Sequence, residues 1–477
     1  MDFSNFLKLN QEASLIAVFL ILLIYDIFTA DKDSRQFRLI ACVLFGIHTV
    51  ACFFMPQTGA AFGGMFISTN MTMLMKNILN VATLIIFMQA GQWLNSDKEI
   101  KQREGEFFTI ILATLFGMYI MISANNFMLL YIGIETASLP LACLAAYNKY
   151  KEESAEAGSK YILITALSSG IMMFGISYIY GAMGSLYFDN IADTLTATPM
   201  IIMGFVFFFA GLAFKISLVP FHLWTADVYE GSPTNVTAYM SVVSKAAACF
   251  VLILTLYHVF GNIQKLWYYI LWALTVITII IGNLFAIRQK DIKRFFAFSS
   301  ISQAGYILLG IMSGTAQGMT ATVYYILVYL FSNLAAFGVI SAIENKSGST
   351  KITAYNGLSK TNPKLALVMT LAVFSLAGIP PLAGFFSKFF IFWAAAAKGD
   401  TSSYILVFIA LLNTVISLYY YLLIIKAMYI KATDEYTTSH IKTDAYNKVS
   451  LVICTTGTIF VGLLSCVYAY IGEIAAI

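Results

Sequence analysis

Apolar runs of about 20 residues recur from one end of the chain to the other, each long enough for a helix to cross a bilayer. Lipid offers no partner to a backbone N–H or C=O. Such runs must therefore close their hydrogen bonds as helices or around a closed barrel. These runs are too long and too uniformly apolar for barrel strands, which alternate over about ten residues. Of 477 residues, 60% are hydrophobic and 11% charged, far less charge than a soluble chain of this length carries. The expected fold class is an all-α polytopic membrane protein. It has fourteen spans, near 14–29, 37–55, 71–93, 107–122, 127–147, 160–182, 200–229, 234–260, 266–287, 295–312, 319–343, 365–396, 404–430 and 447–471.

Basic residues set the orientation. Loops after odd-numbered spans hold most of them, among them Lys32, Arg35 and Arg38, then Arg288, Lys290, Lys293 and Arg294, then Lys346, Lys351, Lys360 and Lys364. The opposite side has Lys8, Lys265 and Lys398. The positive-inside rule places the odd-span loops in the cytoplasm and both termini outside, periplasmic in a bacterium. The net charge of +4 adds little to this. The N-terminus lacks a basic region before a short apolar core, so the first span is expected to be retained rather than cleaved.

Six cysteines stand singly in apolar sequence, with no CxxC pair, and are expected to be buried free thiols rather than ligands of a metal or iron–sulfur cluster. There is no GxGxxG or P-loop, so no nucleotide site is expected. His48 and His258 read as satisfied core residues. Lys76 and Lys426 lie near span ends, where a long side chain can reach the interface.

Against this background the stretch 211–245, GLAFKISLVPFHLWTADVYEGSPTNVTAYMSVVSK, stands out. It sets Lys215 and Lys245 in apolar sequence on either side of Pro220, Asp227, Glu230 and Pro233. Lys388 lies inside the twelfth span and Glu135 is a lone acid in the fifth. Charge inside lipid-embedded protein is costly and is a functional candidate by default. Burial disfavours the charged form, so it lowers a lysine pKa and raises that of a glutamate, and both become switchable near neutral pH. Glu135 and Lys215 are expected to form a coupled pair, with Lys245 central and Lys388 extending the path. Sodium needs hard oxygen ligands that a row of lysines does not supply, so the expected cargo is the proton.

His222, Asp227 and Glu230 can collect protons at the cytoplasmic end, or merely finish a helix with solvated polar groups. Ser299, Ser300, Ser302, Gln303 and Tyr306 make the tenth span polar. They can order water, or hold helices together by hydrogen bonds, and the same two readings apply to Asn333 and Asn413.

The breaks suggest a duplication. Spans four to eight (107–260) and nine to thirteen (265–430) are two sets of five, each with a broken fourth member, at Pro220 and at Pro380–Pro381. Five is odd, so the second set runs inverted. Paired broken helices point to a transport site near mid-membrane. Residues 1–106 and 431–477 lie outside the sets.

The run PFHLWTADVYEGSPTNVTAYMSVVSKAA, with FSSISQAGY and GIPPLAGFFSKF, resembles the antiporter-like membrane subunits of respiratory complex I, in the branch called subunit N. The resemblance covers nearly the whole chain. It implies fourteen helices, two inverted five-helix repeats and a hydrophilic axis along mid-membrane. It implies proton-translocating roles for Glu135, Lys215, Lys245 and Lys388. Gln303 departs from the family pattern, in which histidine is frequent. Glutamine does not titrate, so the link from Lys245 to Lys388 is expected to use water.

The resemblance also implies a non-redox subunit of NADH:quinone oxidoreductase in a bacterial plasma membrane. FMN, iron–sulfur clusters and quinone would then sit in partner subunits and none in this chain. Its neighbours would be another antiporter-like subunit, the small helical subunits, the hydrophilic redox arm and lipid, with no nucleic acid. The alternatives are a subunit of a multi-chain cation/proton antiporter without redox activity, and a scaffold whose charges only pair helices.

Overall fold

The structure is a computed structural model that describes residues 8–29, 36–55, 58–96, 98–433 and 439–475. Lys32 and Arg35, in the first basic loop, lie outside the described residues. The helices are α1 (Asn10–Thr29), α2 (Phe37–Phe54), α3 (Asn70–Leu94), α4 (Glu104–Ile122), α5 (Phe127–Ala145), α6 (Glu152–Met183), α7 (Pro199–Ile216), α8 (Leu223–Gly231) and α9 (Thr234–Val259). They continue as α10 (Gln264–Ile287), α11 (Ile292–Met312), α12 (Ala316–Ser347), α13 (Pro363–Ala377), α14 (Ala383–Ala396), α15 (Thr401–Tyr429), α16 (Ala445–Leu463) and α17 (Ser465–Ala475). Among the described residues, 13 helices are long and apolar enough to cross a membrane, and the paired shorter helices α13 and α14 form the twelfth span. The fold is all-α and polytopic, as expected.

Side-chain oxygens start the helices where the sequence places Asn, Asp or Thr at a span's edge. Asn126 accepts from the Met128 amide, Asp291 from Lys293 and Arg294, Thr315 from Gly318 and Asp400 from Ser403. The two breaks share a cause. α7 ends with Ser217 at φ 67° and α13 with Gly378 at φ 89°, a left-handed stop, and each is followed within three residues by proline, which cannot resume the ladder. Gly384 lets α14 return against α13: a Cβ there would meet the Ser375 carbonyl oxygen at 1.7 Å.

Three departures from the sequence reading concern the periphery. The loop between α2 and α3 carries a hairpin of β1 (Gly59–Ala61) and β2 (Phe66–Ser68), turned by Gly63 and Gly64 at positive φ. It is too short to register as alternating hydrophobicity. The fourteenth span is interrupted at Leu464, which is extended between α16 and α17. Hydropathy runs on through that point, so nothing in the apolar pattern marks it. Cys143 and Cys466 are exposed rather than buried.

Three helices form the centre of the bundle. α9, α11 and α12 are enclosed by the other helices, and every residue in the apolar window of α11 is buried. The outer helices show Leu20, Phe28, Ile47, Leu163, Phe408 and Val452 to the surroundings. In lipid, it is hydrogen-bonding groups rather than apolar ones that gain from being enclosed by other helices. α3 and α16 both pack on α12, and the ion pair of Arg38 with Asp444, at 2.6 Å, ties α2 to the start of α16.

Candidate functional site

The three lysines inside spans are held in three different ways, and none is in an ion pair with a carboxylate among the described residues. Lys215 lies in the last turn of α7, partly buried, and donates to the Ser138 hydroxyl of α5. Glu135, the expected partner, makes no ion pair with it. Its Oε1 is buried without a hydrogen-bond partner. Ser138 follows Glu135 by three residues, so the two share one face of α5 and the hydroxyl reaches the ammonium first. Ser138 is a site residue that the sequence reading missed, because only the tertiary contact with Lys215 marks it out.

Lys245 is buried on α9, which carries π-helical turns at Met240–Ser244 and Thr255–Val259. Such turns concentrate at functional sites. Its Nζ donates to Ser300 Oγ at 2.9 Å and faces the Tyr229 ring at 5.9 Å. One turn earlier, Ser241 is bonded to Asn333 at 2.8 Å and to the Tyr329 hydroxyl at 3.0 Å.

Lys388 lies across the second break. Its ammonium donates to the carbonyl oxygens of Leu376 and Ala377 at 2.8 and 2.9 Å and faces the Tyr306 ring at 5.0 Å. These carbonyls end α13 and have no helical partner, so a cation there meets both unsatisfied acceptors and the negative end of the helix dipole. At the first break the Trp224 indole N–H donates to Phe214 O at 3.1 Å, a carbonyl that also accepts the Ser217 amide.

The polar residues of α11 join the second and third centres. Ser300, on Lys245, is three residues from Gln303. The Gln303 amide nitrogen donates to Leu376 O and to the Tyr421 hydroxyl, both at 3.2 Å, and its oxygen accepts from Tyr325. Ser299 bonds Tyr421 at 2.5 Å. Ser302 donates to Asn283 at 2.7 Å, and Asn283 in turn donates to Asn413 at 3.2 Å.

The proposed proton collectors fall differently. Asp227 pairs with Lys160 at 2.6 Å and with Arg294 at 2.8 Å, and Glu230 with Arg294 at 2.7 Å, so both carboxylates are engaged in a bridge between α6, α8 and α11. His222 is buried at the start of α8 with Nδ1 unpartnered.

Three other readings are corrected. Lys76 does not reach an interface: it is 1% exposed and pairs with Glu12 of α1 at 2.5 Å, because α1 covers that end of α3. Lys293 is likewise buried, 3.7 Å from Glu344. His258 is half-exposed and meets Asp189 at 3.2 Å. His48 is the satisfied core histidine expected, bonded to Ser14 at 2.9 Å, but Cys52, one helical turn on, brings its sulfur to 3.7 Å from the ring. No group of three metal-binding side chains occurs among the described residues.

The family model described as NADH:quinone oxidoreductase/Mrp antiporter, TM matches residues 124–417, from the start of α5 into α15. The chain belongs to this family. Within the antiporter family it is 60% identical to NADH-quinone oxidoreductase subunit N of Azobacteroides pseudotrichonymphae, over 100% of this chain and 99% of that one. A chain of respiratory complex I from Thermus thermophilus superposes with a TM-score of 0.79 at 27% identity, covering 96% of this chain and 97% of that one. A chain of the Mrp complex from Dietzia sp. DQ12-45-1b superposes at 0.84 with 19% identity, over 100% and 97%, a likeness of fold.

Proposed function

We propose that this chain is the antiporter-like subunit N of a proton-translocating NADH:quinone oxidoreductase, and that Glu135, Lys215, Lys245 and Lys388 carry protons through it. The observation that carries the chemistry is the bonding of Lys245. Its buried ammonium rests on a neutral hydroxyl, one helical turn from a glutamine that shares a carbonyl with Lys388. A lysine kept only to pair helices would sit on a carboxylate, since an unmatched buried charge is hard to hold. A lysine that must lose its proton needs partners that tolerate both forms, and hydroxyls and waters do.

Electrons stay elsewhere. FMN, iron–sulfur clusters and quinone belong to partner subunits in this reading, and this chain responds to quinone reduction through contacts with a neighbouring antiporter-like subunit and small helical subunits. The complex sits in a bacterial plasma membrane with both termini periplasmic. Ser299, Ser302, Gln303 and Asn333 order the path between the lysines. His222, Asp227 and Glu230 shape its cytoplasmic end.

The test is affinity purification of the tagged chain from its native membranes in mild detergent. Co-purification of a flavin- and iron–sulfur-containing arm with quinone reductase activity is expected. Recovery only with other multi-span chains, showing cation/proton exchange and no redox activity, would overturn the assignment in favour of a stand-alone antiporter.

A further inference from the structure

We propose that a cavity at the basic-loop ends of α9 and α12 is the port through which this relay takes up protons, with Glu344 as the acceptor carboxylate. The proposal rests on the relay reading above and names its entrance. The cavity holds about 260 Å³ and is lined by Ser96, Asn148, Lys151, Thr234, Glu344 and Asn345. These come from segments that follow α3, α5 and α8 and from the end of α12, all on the side that the basic residues assign to the cytoplasm. A second, wider cavity of about 520 Å³ shares Ser96 and Asn345 with it and extends to Lys346 and His440. Both have ample room for water.

At the cavity wall, Thr234 donates to one Glu344 oxygen, and the Lys293 ammonium lies 3.7 Å from the other. The Glu344 side chain is 25% exposed and that of Lys293 5%, so the carboxylate faces the cavity and the ammonium faces inward. Lys293 also donates to Ser232 O at 3.0 Å. From this level two helices climb together. Ser300 follows Lys293 by seven residues on α11, and Ser241 follows Thr234 by seven on α9, two turns or roughly 10 Å in each case. Ser300 is the residue bonded to Lys245, and Ser241 lies one turn before it. The Tyr229 ring lies 5.9 Å from the Lys245 ammonium.

Along this route Asn148 Oδ1, Ser232 Oγ, Asn235 Nδ2 and Tyr229 Oη are buried with no protein partner. An unsatisfied buried polar atom costs about 1–3 kcal/mol, and internal water is what ordinarily satisfies it. A short chain of waters spans the distance. A proton from the cytoplasmic side, relayed through cavity water, protonates the Glu344 carboxylate; Glu344 then releases it to inner water and returns to carboxylate, and the neutral Lys245 amine takes it up to become ammonium. Lys293 excludes other cations, because a metal ion entering here meets a fixed positive charge.

The test uses the intact complex in sealed vesicles with the basic-loop side outward, and reads proton uptake against electron flow. Glu344→Gln is expected to slow proton uptake about tenfold or more, with Glu344→Asp restoring most of it. Asn345→Cys, treated after assembly with a bulky, membrane-impermeant thiol reagent, is expected to lose pumping, while the unsubstituted chain under the same reagent does not. Wild-type uptake in Glu344→Gln, or full labelling of Asn345→Cys without effect, overturns the port. Lys245→Ala run in parallel separates the two levels. If it abolishes pumping while Glu344→Gln does not, the relay stands and the port fails. If both pump normally, the relay reading itself has failed and the port with it.

Discussion

Gln303 and Lys388 donate to the same acceptor, the carbonyl oxygen of Leu376, at 3.2 and 2.8 Å. That oxygen exists as a free acceptor only because α13 stops at Gly378. The break in the twelfth span therefore does two things at once. It supplies a site for an ammonium in the membrane interior, and it ties that ammonium to the polar face of α11 that reaches Lys245. A glutamine at this point holds position without holding charge, so it connects two titrating groups without becoming a third.

Replacing Gln303 with leucine removes three hydrogen bonds and leaves the Tyr325 and Tyr421 hydroxyls short of a partner. A net loss of about 1 kcal/mol per bond is typical, and roughly tenfold in an equilibrium for each 1.4 kcal/mol. Gln303→Leu is expected to lower pumping at least several-fold while the complex still assembles, and Gln303→Asn to retain more of it. Proton-to-electron ratios in reconstituted vesicles check this.

Ser138, on the same face of α5 as Glu135, is the side chain that Lys215 donates to. With Ser138→Ala the ammonium loses its acceptor and is expected to turn to the unpartnered Glu135 carboxylate one turn away. A fixed ion pair would then hold the proton on Lys215. Pumping should fall in Ser138→Ala, and Glu135→Gln added to it should produce less than the sum of the two single effects, since the residues share one partner. Additive losses would show that Ser138 and Glu135 act separately.

The Glu12–Lys76 pair joins α1 to α3, with side chains 4% and 1% exposed. Breaking a buried pair from one side leaves an uncompensated charge and costs about 3–5 kcal/mol. Glu12→Gln is therefore expected to reduce the amount of assembled complex and its thermal stability, with the pumping ratio of what does assemble unchanged. Replacing both residues with apolar ones of similar size should recover stability. A lowered pumping ratio in assembled Glu12→Gln complex would give the pair a transport role instead.

Much of this architecture was written in the sequence. Span lengths follow from the hydrocarbon thickness, and the two breaks follow from proline, so the existence and order of spans one to thirteen and both interruptions were readable, while helix ends such as Glu152, eight residues before the expected start of the sixth span, were not. Lys215, Lys245 and Lys388 were readable for the same reason, as charges inside runs that otherwise exclude them. What was not readable depends on which helices touch. Lys76 and Lys293 sit near span ends, where a charge ordinarily reaches water. Only side-chain contacts from the start of α1 and from Phe66 and Tyr119, and the packing of α8 and α12 on α11, enclose them. Ser138 was passed over because one serine on an apolar helix carries no sign of its own, and its meaning comes from the lysine that α7 brings to it. The engagement of Asp227 and Glu230 with Lys160 and Arg294 is likewise a contact between distant segments, and a local acidic patch gave no hint of it.

The central claim is that the buried lysines work by losing and regaining protons. Arginine keeps the positive charge and much of the bulk but does not deprotonate in proteins. The decisive measurement is the proton-to-electron ratio of sealed vesicles containing fully assembled complex with Lys245→Arg. The account expects electron flow uncoupled from pumping through this chain, with the ratio clearly below that of the unsubstituted complex. A ratio equal to the unsubstituted one would show that a permanent charge suffices at this position, and would contradict the account.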